Sequence, residues 1–221
     1  RTGARGLVHP EGARHLADPA EKLLPSAERL YGAMMEPLWG RIEAVPEDRL
    51  QTIGHGERVE IAGLGLTGWH TPGHAVHHVA WQVNGAIATG DVAGVRFAPA
   101  SHVLPPMPPP DIHLGDWRAS LELLRGLGPE RLLPTHFGAF ADCDRHLVEL
   151  AARLDRWQEI AGRAATAGGD RASLAAALLD LDEQEMRAAG VPPAAAARSR
   201  HLCPMEANAA GLLRACRRQP A

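Results

Sequence analysis

Four histidines, His70, His74, His77 and His78, crowd within nine residues around the turn Thr71-Pro72-Gly73. Proline presets φ at one corner of such a turn and glycine accepts φ > 0 at the next, so the chain bends sharply and can aim His74 into a cleft. Further along stand Asp91, in Ala88-Thr89-Gly90-Asp91, and His136, in Pro134-Thr135-His136-Phe137-Gly138. Imidazole nitrogen and carboxylate oxygen are the donors that a borderline divalent cation such as zinc takes. Metal-assisted chemistry of this kind needs neither a serine triad nor an activated thiol. Cys143, soon after His136, has no recognisable activating partner and reads as a packed thiol.

The elements around these residues explain how they could meet. Val79–Val83 and Ala86–Thr89 are two apolar runs flanking Asn84-Gly85, which predicts a tight hairpin with a type I′ turn. A hairpin returns its chain, so Asp91 can come back beside His74. Arg131–Thr135 is a short buried-strand pattern that ends at His136. His74, Asp91 and His136 would then share one rim of a sheet. His78, at the start of the first hairpin strand, is a candidate to orient one of them by hydrogen bond. His70, His77, His9 and His15 lack ligand-type spacing and read as structural or surface residues, and His55 as a turn residue facing solvent. Arg96 and His102 lie near enough to Asp91 in sequence to reach a substrate.

Taken in order, the pattern predicts a strand over 4–9, a brief helix from Glu11 to Ala17, and a helix over 26–40 capped by Ser26 and ended or kinked near Pro37. Tyr31, Met34 and Met35 on that helix read as lid packing or as the lining of a substrate mouth. Strands follow from Gln51 to Leu66, where Glu57-Arg-Val-Glu-Ile61 alternates polar and apolar residues. The Pro-rich stretch Pro105–Pro110 reads as a rigid edge of the mouth, with a partner-binding polyproline segment as the alternative. Asp116 to Leu127 predicts an amphipathic helix with Asp116 as N-cap. Beyond residue 141 the chain is helical and Ala-rich: one helix to about Ala165, one from Asp170 to about Ala189, and a last one from Pro204 to Arg217. This tail reads either as a helical subdomain covering the site or as a homodimerisation element.

Thr-Pro-Gly-His74, Thr-Gly-Asp91 and Pro-Thr-His136-Phe-Gly, in that order, resemble the metallo-β-lactamase superfamily of metallohydrolases. His74-Ala-Val-His-His78 and the closing Met205-Glu-Ala-Asn-Ala-Ala-Gly-Leu-Leu-Arg214 look like its glyoxalase-II-like bacterial members. The resemblance implies an α/β (α+β) fold, the αββα sandwich, over residues 1–140, with a helical carboxy-terminal region over 141–221. It implies two divalent metal ions, zinc foremost and iron or manganese as alternatives. His74 would be a ligand of the first ion, Asp91 the bridging carboxylate and His136 a ligand of the second. It further implies a metal-bound hydroxide attacking a thioester, ester or lactone. The family's upstream His-x-His-x-Asp-His motif, which supplies up to four ligands, has no counterpart here. The strings His15-Leu-Ala-Asp18 and His113-Leu-Gly-Asp116 do not fit it, and the chain opens at Arg1. The expectation is an amino-terminally incomplete sequence holding half of the site. A metal-free interaction module on the same scaffold is the other reading.

Composition bounds the function class. Of 221 residues, 45% are hydrophobic and 22% charged, as in an ordinary globular protein, and the net charge of −3 leaves no basic footprint for nucleic acid. Aromatics at 4% offer no stacking platform for single strands. No apolar run approaches the roughly 20 residues of a membrane span. The three cysteines, Cys143, Cys203 and Cys216, form no C-x-x-C pair and point to a reducing, cytoplasmic setting. A small-molecule substrate is the expected partner.

Overall fold

The predicted hairpin is the centre of the molecule. In a computed structural model describing residues 3–96, 102–108, 110–136 and 138–218, without the side chains of Leu30 and Leu202, β5 (Val79–Val83) and β6 (Ala86–Gly90) pair antiparallel. Asn84 (φ 46°) and Gly85 (φ 77°) both take positive φ, as a type I′ turn requires. Phe97, Pro109 and Phe137, which belong to stretches singled out in the sequence, lie outside the described residues.

Two further hairpin strands, β3 (Glu57–Ile61) and β4 (Leu64–His70), extend the sheet on the β5 side. On the other side β9 (Arg131–Pro134) runs parallel to β6, giving the order β3-β4-β5-β6-β9. The register Gly90↔Pro134 puts the carboxy-terminal ends of β6 and β9 together, and therefore Asp91 and His136 on the same rim. Two small pairs complete the described strands: β1 (Gly6–Val8) parallel to β2 (Leu50–Thr52), and β7 (Val95–Arg96) antiparallel to β8 (Val103–Leu104).

Helix α1 (Pro10–Ala17) starts at His9, whose ring accepts from the Glu11 amide, so His9 is a cap. The helix expected over 26–40 is instead broken in two. Helix α2 (Leu23–Tyr31) begins three residues before Ser26, and Gly32 at φ 51° ends it; a 3-10 turn then leads into α3 (Met35–Trp39). Pro37 sits in the first turn of α3, where its missing N–H costs no helical bond. The glycine, not the proline, sets the break.

Helix α4 (Leu114–Gly126) is capped by the His113 ring, which accepts from the Asp116 amide; the N-cap is thus three residues earlier than Asp116. The tail holds α5 (Cys143–Thr166), α6 (Arg171–Ala188), α7 (Pro193–Leu202) and α8 (Met205–Arg218). Asp170 caps α6 through Ser173 N as expected. Asp142 makes no cap bond because its carboxylate is spent on Arg96 and Arg145. Helix α7 was not foreseen: Pro192-Pro193 reads as a break, yet Pro193 occupies N1, a position that suits proline.

One apolar cluster runs from Ala80 and Ile87 of the sheet through Trp117, Leu121 and Leu124 of α4 to Leu147, Leu154, Trp157, Leu178, Leu212 and Leu213 of the tail. A polar seam crosses it. His102 Nε2 donates to Asp182 Oδ1 at 2.6 Å, while the buried Arg153 spans His102 Nδ1, Val103 O and Glu185. His102 and Arg96 are both buried in such pairs, so neither lines a substrate surface as their sequence positions suggested. Among the described residues no helix is long and apolar enough to cross a membrane.

Candidate metal centre

The Thr71-Pro72-Gly73 turn is held from three sides. Ser120 Oγ donates to Pro72 O at 2.7 Å and the His113 amide donates to Gly73 O at 2.8 Å. Gly73 has φ 133°, and a Cβ there would fall on the Cα and Cβ of Trp117. The fully buried Trp117 then reaches across: its indole N–H donates to Val92 O at 2.7 Å, and its ring meets His74 edge-on at 5.7 Å between centroids. One side chain of α4 thereby fixes both the turn that carries His74 and the turn that carries Asp91. The second turn is secured again by His146, whose Nε2 donates to Ala93 O at 2.7 Å.

On this scaffold the three residues expected at the rim come together. His74 Nε2 lies 3.5 Å from Asp91 Oδ2, and His136 Nε2 lies 3.3 Å from Asp91 Oδ1. Each carboxylate oxygen faces a different imidazole. His74 Nδ1 is 2.9 Å from Pro106 O, and a carbonyl only accepts, so Nδ1 carries the proton. In the tautomer that leaves Nε2 bare, a lone pair faces a carboxylate oxygen, a repulsive arrangement unless a proton or a metal cation lies between them. Asp91 Oδ1 is buried and has no hydrogen-bond donor among the described residues, its approach to His136 being too poorly aligned to count as one. Such an orphaned oxygen needs a partner.

The donor set fits divalent metal. Two tetrahedral ligands at roughly 2.0–2.1 Å from one ion lie about 3.3–3.4 Å apart, close to both separations. Among the described residues no three His, Cys, Asp or Glu side chains converge to enclose a single ion. The rim residues instead form two contacts, one histidine to each oxygen of Asp91.

Burial raises the Asp91 carboxyl, but the imidazole of His136, and after it those of His74 and His78, outweigh it and leave the pKa below the usual carboxylate value. Asp91 in turn raises that of His136 against the effect of burial. His78 is held down at about 4, first by burial and then by the neighbouring imidazole of His74. Its ring is hydrogen-bonded through Nδ1 to Thr71 Oγ1 at 2.8 Å and not to any of the three rim residues; a Cβ on Gly90 (φ 55°) would fall on its Nε2. His78 thus packs against the backbone that delivers Asp91. His70 donates to Val76 O and stacks on His9 at 4.0 Å, while His15 and His77 meet at 5.5 Å. His55 packs edge-on against Trp69.

Two stretches expected at the mouth of the site have more specific places. The Pro105–Met107 stretch is buried and supplies the carbonyl that orients His74, so it is part of the site's inner wall rather than its edge. Nothing in a proline run reveals which carbonyl a distant imidazole will find. Tyr31, expected as lid or mouth lining, stands close enough to Asp91 that, after burial, the carboxylate is the second cause raising its hydroxyl's pKa.

Comparison with known proteins identifies the family of the fold. The profile of the Metallo-beta-lactamase superfamily matches residues 1–136. A curated relative, the metallo-beta-lactamase fold-containing protein ST1585 of Sulfurisphaera tokodaii, is 27% identical over 149 residues, 66% of this chain and 53% of that protein. The chain thus spans about half the length of the curated relative it matches. The crystal structure of ST1585, an archaeal metallo-beta-lactamase superfamily protein, superposes with a TM-score of 0.59 at 26% identity, covering 70% of this chain and 58% of that one. The metallo-beta-lactamase family protein TTHA1429 from Thermus thermophilus superposes with the same TM-score at 22% identity over 97% of this chain and 67% of its own. With the profile spanning well over half its residues and the rim assembled from the ends of β6 and β9, this chain belongs to the metallo-beta-lactamase superfamily.

Proposed function

We propose that the protein is a metal-dependent hydrolase of thioesters, esters or lactones. In this reading His74, Asp91 and His136 would hold two divalent ions, zinc foremost with iron or manganese as alternatives, with Asp91 shared between them. The observation that carries it is the split carboxylate: one oxygen faces each histidine, and the other ring nitrogen of His74 is committed to Pro106 O. When bound, divalent ions supply Lewis acidity, acidifying a water molecule and polarising a carbonyl.

The chain's own residues prepare for that chemistry. Pro106 O sets the His74 tautomer, leaving Nε2 free to ligate. Trp117 holds the two turns together, and His78, neutral near pH 7, packs against Gly90 without adding charge. On the open side Tyr31 stands near Asp91 on a segment that exposes Met34, Leu38 and Trp39, a surface suited to the apolar part of an acyl substrate. A metal-free interaction module gains no support. The described core of its polyproline candidate, Pro105 to Met107, is buried and unavailable to a partner.

Elemental mass spectrometry of the purified chain, beside hydrolysis of a thioester, ester and lactone panel, tests the proposal. Bound zinc, iron or manganese that disappears in Asp91→Ala together with turnover supports it. Turnover that Asp91→Ala leaves unchanged would overturn it.

A further inference from the structure

Asn208, on α8 and far from the rim in sequence, is 2% exposed. Its side-chain Oδ1 accepts from the Met107 amide at 2.8 Å. That N–H and the Pro106 carbonyl are the two ends of a single peptide group, and the carbonyl end accepts from His74 Nδ1 at 2.9 Å. A peptide group is planar and rigid, so fixing its N–H fixes where its C=O points. Two bonds in series through one amide also polarise each other. The Oδ1 assignment is secure on chemical grounds, because an amide N–H can meet only an acceptor.

The next peptide along, Met107–Pro108, is approached by a second residue of α8. A Cβ at Gly211 would fall on the Met107 carbonyl oxygen, so only glycine lets the helix lie this close. Met107 is fully buried, and Cys203, just before α8, adds an S–H contact to Pro105 O at 3.7 Å. The remaining bonds of Asn208, from Nδ2 to Cys203 O at 3.5 Å and to the sulfurs of Cys203 and Met205, are long and weak. Its one strong bond is the one that faces His74.

We propose that Asn208 is a positioning residue for His74, acting through the Pro106–Met107 peptide, and that Gly211 provides the close approach that makes this connection. The helical tail then tunes how well His74 binds a metal ion, a consequence that rests on the metal-site reading above. The tautomer it imposes does not depend on that reading.

The test is a long-range proton–nitrogen spectrum of the full chain, labelled with ¹⁵N-histidine, freed of metal and held at pH 8.5, with His74 assigned by His74→Gln. Wild-type His74 is expected with its proton on Nδ1. Asn208→Leu, which removes the acceptor at similar volume, should move it toward the Nε2–H form favoured by free imidazole. Asn208→Asp, which keeps an acceptor, should leave it on Nδ1. In parallel, Co(II) titration should show affinity roughly 10- to 100-fold weaker in Asn208→Leu and near wild type in Asn208→Asp, the range typical for loss of a ligand's hydrogen-bonding partner. A merely structural asparagine would lower the melting temperature without moving the tautomer. Wild-type His74 found protonated on Nε2 overturns the proposal without any variant. A folded Asn208→Leu with an unchanged His74 signal overturns it as well, and if leucine at 208 does not fold, Gly211→Ala must shift the same signal or the proposal fails. Wild-type chain that binds no Co(II) would count against the metal reading, while the tautomer still decides the role of Asn208.

Discussion

The two sides of the Asp91 rim are built differently. On one side, the Gly73 turn, the Asp91 turn and the Pro106–Met107 peptide are clamped by Trp117, His146 and Asn208, each buried and each donating or accepting a specific backbone hydrogen bond. On the other side, no described side chain between Ala20 and Thr52 is buried, and Leu23, Tyr31, Met34, Leu38 and Trp39 are all at least 37% exposed. The first wall is fixed by buried hydrogen bonds; the second is short helices carrying exposed apolar side chains. Chemistry placed on the rigid wall and specificity on the adaptable one is the division expected of a scaffold that serves many substrates.

The largest expected effect breaks the rim itself. Asp91→Ala should weaken metal binding by more than about 100-fold, the upper end of what losing even an outer partner costs, and abolish turnover, read by metal content after dialysis against a chelator. Next comes the clamp. Trp117→Ala should cost about 3–5 kcal/mol in urea unfolding, as large cavities do. Trp117→Phe, which keeps most of the volume and leaves Val92 O without its donor, should cost about 1–3 kcal/mol.

A smaller effect is pH-dependent and belongs to the rigid wall alone. His146 is held down at about 4 by burial first, partly offset by its bond to Ala93, and then by the charge of Arg96; His78 is held at about 4 by burial and His74. Unfolded imidazole takes a proton near pH 6.5, whereas these folded ones do not until about 4, so the unfolded chain binds more protons in between. Stability should therefore be full above about pH 6.5, fall as the pH drops toward 4, and level off below. Thermal melts across that range check it, and His146→Gln should make the fall shallower. A flat profile would mean that the wall admits water.

The smallest effect on stability sharpens the contrast. Leu38→Ala and Met34→Ala, at side chains about half exposed, should change unfolding free energy by no more than about 0.5 kcal/mol. The same substitutions should alter KM across a series of acyl chain lengths. Equal KM values along the series would place specificity elsewhere.

Much of the site was legible because it is written in local signals. Asn84-Gly85 dictates a type I′ turn, the turn dictates a hairpin, and the hairpin returns Asp91 to His74. Arg131–Pro134 announces a strand by its apolar run, and a strand ending at His136 needs only a place beside β6 to complete the rim. Boundaries governed by a single competing residue were less legible. Gly32 rather than Pro37 divides the helix over 23–39, and His113 rather than Asp116 caps α4, since an imidazole at the cap is an uncommon choice that its neighbours' packing decides.

The sequence by itself determined the elements, the turn chemistry and the identity of the rim residues, because these follow from propensities and patterns over a few neighbouring positions. Only the tertiary structure decided what each polar group found at long range. Arg96 and His102, near Asp91 in sequence, are turned inward to Asp142 and Asp182, while Asn208, more than a hundred positions from the Asp91 turn, reaches the peptide that orients His74. A buried polar atom must be paired, but which partner it meets depends on how whole elements pack, and no local pattern encodes that.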